Sequence, residues 1–454
     1  MAQGNTERVL VARTHRGERA VRATVPVLDV AGHPLARLPV CPPLLIAQTL
    51  AAQRASAPLP RRDRADLLAA AARIFLADSV GGFADYRDDV SAVSGHSRET
   101  ADALCRAVAE VAATATERAY AARPVAAVES WRDAGHVAET GVWSRRGETL
   151  GAIVSGNSPT VHTAWLQALA LGYRVAVRPS QGEPFTADRL VRALHEAGFR
   201  NTDVSFLPTD HAGADEIVTR ADRALVYGGV AVSRKYGANP RVKVGGPGRS
   251  KTLVSLAPGQ DRGPAVAAVA DAVAAQSGTA CVNTSAVLVD GDHRGFATEL
   301  AAVLRTPRHR RSGPRVSQAA ATALIGHLTA RASDIEPLVP IEELAAPGHD
   351  GAVTLTPAVF VLDRLDTETL GSELPFPCVW VAPWRRGDGV APLRDSLVVN
   401  AITSDETILD DLLEESSIAN VHWNAPTTHS GTRMPHDGYV GEFLMTSKGF
   451  AANR

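Results

Sequence analysis

The sequence predicts an α/β protein: two domains, each a parallel sheet covered by helices, with a small β arm. Three observations carry this reading. Short apolar strands alternate with helix-length segments between residues 150 and 227. A glycine-rich break at Val244-Gly245-Gly246-Pro247-Gly248 is followed by a second such alternation from about residue 255. A strand-rich excursion near 126–149 belongs to neither half. Strand–helix alternation implies parallel pairing, because parallel neighbours need a crossover segment between them.

The elements follow in order. Residues 1–44 contain short strands, Val21 to Val25 and then Val27 to Val30, with a break at Pro26 and a turn at Gly32. Residues 45–123 are helical: Leu67, Leu68, Ala71, Ile74 and Phe75 recur at one-face spacing, and Ala101 to Ala122 repeats the pattern. Gly141 to Arg146 reads as an edge strand. Strands at Leu150–Val154, Val175–Pro179, Val204–Leu207 and Arg223–Tyr227 then alternate with helices at Thr163–Leu171, Phe185–Ala197 and Ala214–Arg220. In such a sheet a ligand binds at the carboxyl ends of the strands. A helix from Ala265 to Gln276 delivers the chain to Cys281, and the strand Ala286-Val287-Leu288-Val289 follows it.

Bulk properties narrow the function. With 454 residues and 45% hydrophobic content the chain can bury two or three cores. A net charge of -2 gives no reason to expect a nucleic acid or a membrane surface as partner. No apolar run is long enough to span a bilayer, and Met1 to Arg8 lacks a signal-peptide core, so a cytoplasmic protein is expected. Four dispersed cysteines without CxxC or histidine clusters exclude a disulfide framework and a zinc site, and no metal is expected. The basic residues Arg305, Arg308, His309, Arg310, Arg311 and Arg315 read as an exposed, solvated loop, or else as a dock for a phosphate-bearing acyl carrier.

Cys281 is the candidate nucleophile. A free cysteine is usually a buried small hydrophobe. Cys41, Cys105 and Cys378 fit that description, in a proline-flanked linker, on an apolar helix face and inside a strand. Cys281 alone follows a run of small residues, Ser277-Gly278-Thr279-Ala280, which lets the backbone approach a ligand closely. Asn157, in the turn Ser155-Gly156-Asn157-Ser158-Pro159, can donate to the oxyanion that forms when a thiol attacks a carbonyl.

These segments, in this order, resemble the aldehyde dehydrogenase superfamily from about residue 45 onward. Ser155 to Pro159 resembles the family's oxyanion-Asn turn, and Ser277 to Ser285 its catalytic cysteine loop. Val177-Arg178-Pro179-Ser180-Gln181 resembles its Lys-Pro-Ser-Glu cofactor segment, and Tyr227-Gly228-Gly229 its Gly-Ser turn near the pyrophosphate. Ser372-Glu373-Leu374-Pro375-Phe376-Pro377 resembles the Glu-Glu-Ile-Phe-Gly-Pro motif, and Asn424-Ala425-Pro426 the Asn-x-Pro after the last core strand.

The resemblance implies an aldehyde dehydrogenase-like fold with two Rossmann-like domains. The cofactor-binding domain is expected over 1–125 and 150–254, the catalytic domain over 255–423, and an oligomerisation arm over 126–149 and 424–454. It implies cofactor contacts from Arg178, Ser180, Gln181, Gly228, Gly229 and Gly246, with Glu373 reaching the nicotinamide ribose. A homodimer or homotetramer is implied as well.

Two departures sharpen the expectation. The position of the family's general-base Glu falls on Gly245, and the Gly245-Gly246-Pro247-Gly248 stretch resembles CoA-acylating members and related acyl reductases. Arg178 and Gln181 replace Lys and Glu, which removes a charge that repels a 2′-phosphate and adds a forked donor for it. The expected activity is therefore reduction of an acyl thioester, on CoA or a carrier protein, to an aldehyde through a Cys281 acyl-enzyme. NADPH is the expected cofactor, with NADH the alternative, and Asn157 with the Cys281 N–H holds the oxyanion. His162, His422 and His429 are candidate proton donors, His422 first among them, with a satisfied structural histidine the alternative reading for each. Trp165, Trp423 and Phe376 are candidates to line an aromatic-friendly pocket, and core packing explains them as well. The alternatives are a hydrolytic NAD(P)-dependent aldehyde dehydrogenase, the reductase subunit of a two-protein carboxylic acid reductase served by an adenylating partner, and a non-catalytic scaffold homologue.

Overall fold

A computed structural model describes residues 8–134 and 139–451. Two seven-stranded sheets dominate it. The first runs, in spatial order, Val242–Gly245, Arg223–Tyr227, Thr149–Ile153, Arg174–Arg178, Val204–Phe206, Ala12–Thr14 and Gly17–Arg19. Its first five strands are mutually parallel, and the amino-terminal hairpin joins its far edge antiparallel. From Thr149–Ile153 the chain winds one way through two strands, then returns to lay Arg223–Tyr227 on the other side. That reversal is the topological switch point, where the loops leaving adjacent strands part and open a crevice.

The second sheet runs Glu336–Pro337, Ala358–Val361, Cys378–Trp384, Ala286–Asp290, Lys251–Ser255, Val398–Thr403 and Asn420–Trp423. All of it is parallel except the two-residue edge at 336–337. Its residues alternate between two cores, as a pleated strand requires. Val287, Val289, Val379 and Val381 pack with the helices Gly263–Ala274 and His293–Leu304, while Ala286, Leu288 and Trp380 face a second cluster containing Leu324 and Leu328. Both faces are covered, so the strands are apolar on both sides.

Helix limits follow local chemistry. The side chains of Ser97, Asp210 and Asp292 cap the helices that begin one residue later. Gly198 ends Phe185–Ala197 in a left-handed conformation, φ 116°.

Two expectations are corrected here. Pro26 does not break a strand: Thr24–Leu28 runs through it and pairs with Pro34–Pro39, while 21–23 lie outside. A two-stranded ribbon is all edge, where a missing N–H is tolerated. Nor is Gly141–Arg146 an edge. Glu139–Arg145 is the middle of three strands, flanked by Ala127–Val128 in parallel and by Met445–Ala451 antiparallel.

Candidate active site

The first sheet contributes its carboxyl ends. Thr149–Ile153 leads into the turn holding Asn157, Arg174–Arg178 ends on Arg178, and Arg223–Tyr227 leads into Gly228-Gly229. These strands are neighbours, so the turns converge at the switch point. The second sheet contributes its amino ends. The loops entering Lys251–Ser255, Ala286–Asp290 and Cys378–Trp384 carry the glycine-rich turn, Cys281 and Glu373, and these three strands are also neighbours.

The three incoming loops interlock closely. A Cβ on Gly248 would lie 1.8 Å from the Cys281 carbonyl oxygen, and one on Gly278 would lie 2.3 Å from the Pro377 nitrogen. Only glycine permits such approaches. Ser250 Oγ donates to the Cys281 carbonyl at 2.8 Å. Glu373 accepts from the Gly248 N–H at 3.1 Å and the Arg249 N–H at 2.7 Å. Asn283 ties the cysteine loop to the preceding helix: its amide donates to the carbonyls of Ala272 and Ala275 and accepts from the Ala280 N–H. Gln276, Ser277 and Gly278 all have positive φ, at 49°, 57° and 68°, so the expected helix to Gln276 stops at Ala274 and the chain turns sharply toward Cys281. Consecutive left-handed residues persist only where the surroundings over-determine them.

Cys281 is partly exposed, whereas Cys41, Cys105 and Cys378 are buried. Desolvation by the surrounding protein, then Glu373 and Asp437, push its thiol up to about 12; the N–H groups of Cys281 and Val282 act against this. Asn157 Nδ2 donates to the Thr279 carbonyl at 3.1 Å, and its Oδ1 accepts from Ser155 Oγ at 2.6 Å. One of the two Nδ2 hydrogens therefore remains for a substrate oxygen.

The residues expected to contact a cofactor lie at the ends of neighbouring strands. Arg178 Nε donates to the Thr209 carbonyl at 3.2 Å, and its two terminal nitrogens have no hydrogen-bond partner among the described residues. Ser180 Oγ accepts from the Gly182 N–H, and Gln181 is exposed, reaching the Pro26 carbonyl at 3.4 Å. Gly228 is bonded to the Gly245 carbonyl, while a Cβ on Gly229 would meet open space. Gly246 is exposed beside Ser233.

Among the described residues, none of the three candidate proton donors hydrogen-bonds Cys281. His162 is buried, accepts from Trp165 Nε1 at 2.8 Å, and burial pulls its pKa down to about 3. His422 is buried against the Pro426 carbonyl at 2.9 Å, and His429 packs edge-on against it. The histidine that does meet Cys281 is His436, its Nε2 lying 3.4 Å from Sγ. The contact spans 155 positions. The only local cue is a His-Asp pair between Pro435 and Gly438 in a polar loop. Trp165 and Phe376 are core residues, and Trp423 is half exposed with its indole bonded to Thr403, so these do not form an aromatic pocket.

The basic cluster is exposed as expected, His309 apart, but it is ordered by ion pairs rather than being a free loop. Pro307–Arg310 is a short helix, Arg308 and His309 pair with Asp271, Arg315 with Asp350, and Arg305 donates to the Leu338 carbonyl. Among the described residues no group of three or more His, Cys, Asp or Glu is placed to hold a metal ion. No helix among them is long and apolar enough to cross a membrane.

Comparison with known proteins gives concordant results. The sequence profile of the aldehyde dehydrogenase family matches residues 44–442. No curated protein sequence matches significantly. Among solved structures, the NAD-dependent aldehyde dehydrogenase of Sinorhizobium meliloti superposes with a TM-score of 0.83 at 18% identity, covering 98% of this chain and 95% of that one. The lactaldehyde dehydrogenase of Escherichia coli gives 0.80 at 17% identity, with 98% and 100% covered. The indole-3-acetaldehyde dehydrogenase of P. syringae, solved with NAD+, gives 0.81 at 16% identity, with 99% and 98% covered.

Proposed function

Because this chain belongs to the aldehyde dehydrogenase family, we propose that it reduces an acyl thioester to an aldehyde with NADPH, through an acyl-enzyme on Cys281. One observation carries the choice of thioester over water as reaction partner. At Gly245, where the family resemblance puts a water-activating carboxylate, a Cβ would lie 2.4 Å from Cδ1 of Tyr227. The ring occupies the space that a side chain needs. An acyl-enzyme without a general base hydrolyses slowly, since such a base contributes roughly 10²–10⁴-fold.

A nicotinamide dinucleotide suits the residues at the switch point. Gly229 faces open space, and the free terminal nitrogens of Arg178 suit a 2′-phosphate. Glu373 accepts one N–H on each oxygen and keeps lone pairs for a ribose hydroxyl. When bound, the cofactor supplies the hydride. The chain's own residues do the rest. Cys281 Sγ attacks the thioester carbonyl, Asn157 Nδ2 and the Cys281 N–H hold the oxyanion, and the carrier leaves as a thiol. After hydride addition, the thiohemiacetal on Cys281 collapses to aldehyde and free thiol. A homodimer or homotetramer through the arm belongs to the same proposal, supported by exposed Trp131 packed 6.0 Å from Phe450 there.

The test is a panel of acyl-CoA and acyl-pantetheine donors with NADPH oxidation followed at 340 nm, using Cys281→Ala as the blank. Aldehyde and free thiol in equal amounts are expected. Aldehyde oxidation to free acid at full rate without any added thiol refutes the thioester reading and leaves the hydrolytic one.

A further inference from the structure

We propose that His436 is a catalytic residue that takes the Cys281 proton during nucleophilic attack and returns it to the departing carrier thiol. This deepens the thioester reading and rests on it for everything after the Cys281 proton is taken up: its return to the carrier and the reduction that follows. His436 lies in the segment between the last strand of the second sheet and the tail strand Met445–Ala451. Its ring nitrogen Nε2 stands 3.4 Å from Sγ, hydrogen-bond distance for sulfur.

The segment is fixed on two sides. Asn420 Nδ2 donates to the His436 carbonyl, and also to that of Leu397 at 2.9 Å. Lys243 Nζ donates to the Asp437 carbonyl at 2.5 Å and pairs with its carboxylate at 3.4 Å. Lys243 itself stands on Val242–Gly245, the outer strand of the first sheet. His436 is thus held from both sheets, and the residue as a whole is exposed.

The charges around the pair decide its resting form. Facing it are Asp437 on its own segment, Lys243 on the outer strand, Glu373 on the loop before Cys378–Trp384, and the phenol of Tyr227. Desolvation and Lys243 hold the imidazole below its ordinary value, against Asp437. Desolvation, Glu373 and Asp437 push the thiol up. Both shifts favour the neutral thiol–imidazole pair over a thiolate–imidazolium pair. The thiol therefore needs a base at the moment of attack, and His436 Nε2 is in contact with it.

The step balances as follows. Sγ–H gives its proton to Nε2 as the S–C bond to the acyl carbon forms. The tetrahedral adduct expels the carrier sulfur, which takes the proton from Nε2–H and leaves as thiol. In the second half a bound reduced nicotinamide would supply the hydride, and one solvent proton passed through His436 restores Sγ–H as the aldehyde departs.

The test reads the thiol itself, without substrate or cofactor. Carbamidomethylation of Cys281 by iodoacetamide, followed by peptide mass spectrometry across pH 5–10, should show a plateau in wild type above the imidazole's titration. In His436→Gln the rate should instead climb steadily with pH and fall at least about 10-fold below wild type at pH 7, by the usual size of general-base assistance. Lys243→Met, which removes the cation opposing imidazolium, should shift the start of the plateau to higher pH; this variant stands if His436→Gln fails to fold, as judged by circular dichroism. Superimposable wild-type, His436→Gln and Lys243→Met profiles overturn the proposal. A burst of carrier thiol from acyl-pantetheine separates the two claims. An unchanged alkylation profile with an intact burst refutes the His436 role alone, and a His436-dependent profile with no burst from any thioester refutes the thioester reading alone.

Discussion

Adding one carbon at position 245 tests the feature that separates thioester from hydrolytic chemistry. In Gly245→Ala the new Cβ falls 2.4 Å from Cδ1 and 2.6 Å from Cε1 of Tyr227. Ordinary carbon contacts begin near 3.5 Å, so the ring must yield by about 1 Å. It cannot yield freely. Tyr227 stands directly opposite Gly245 in the parallel ladder, and its ring packs against the large core of the first sheet. Overpacking of this kind destabilises by about 1–3 kcal/mol. Restricting the unfolded chain returns about 0.4–1 kcal/mol, because φ at 245 is not in the left-handed region and alanine is allowed there. The net loss is about 1–2 kcal/mol, a fall in Tm of about 1–2 °C for a chain of this size. Differential scanning calorimetry and urea midpoints measure it. In Tyr227→Ala the same addition should have little or no effect, so the two changes should be strongly non-additive. A Gly245→Ala protein as stable as wild type refutes the reasoning: the ring would then move aside, and a carboxylate would have room. Gly245→Glu should in that case gain thiol-independent acid release.

Other outcomes follow from the same geometry. Asn157→Ala should lower kcat on acyl thioesters by about 10²–10³-fold with little change in KM, the usual loss of one oxyanion donor. Arg178→Ala should raise KM for NADPH more than for NADH, since only NADPH carries the 2′-phosphate; equal losses remove Arg178 from cofactor choice. Glu183 is buried, and desolvation raises its pKa to about 7 despite its bond from the Thr186 N–H. The folded state therefore binds its proton more tightly than the unfolded state, so this contribution to stability is full below about pH 4.5 and is lost as pH rises through about 7. Glu183→Gln should flatten that decline in a urea titration series.

The alternation of strands and helices was legible because each half obeys its own period. Phe185–Ala197 and Arg223–Tyr227 begin and end where the apolar spacing puts them. The convergence of the Asn157, Arg178 and Gly228-Gly229 turns was legible too, since parallel sheets place ligands at carboxyl ends. The second sheet was not legible in this way: Cys281, Glu373 and the 246–250 turn gather at amino ends, and no local pattern announces which end of a sheet faces its neighbour. His436 escaped for a related reason. It was passed over in favour of His162 and His422, which lie within or beside regular elements. Regular elements bury their histidines, as both of these show, whereas an irregular segment pinned by Asn420 and Lys243 can set a ring beside a thiol far away in sequence. Tyr227 was read as part of a turn motif; that its ring fills the space at Gly245 needs the ladder register.

Residues 246–250 have a mechanical consequence. They are the peptide that joins one sheet to the other, and they also press on the carbonyl of the nucleophile through Gly248 and Ser250. In most loops an inserted residue is absorbed with little effect. Here each added residue would slide the seat of the thiol along the crevice, so bond-making distance and the separation of the two halves are set by the same five residues. Swapping either half for that of a relative would need this span transplanted intact.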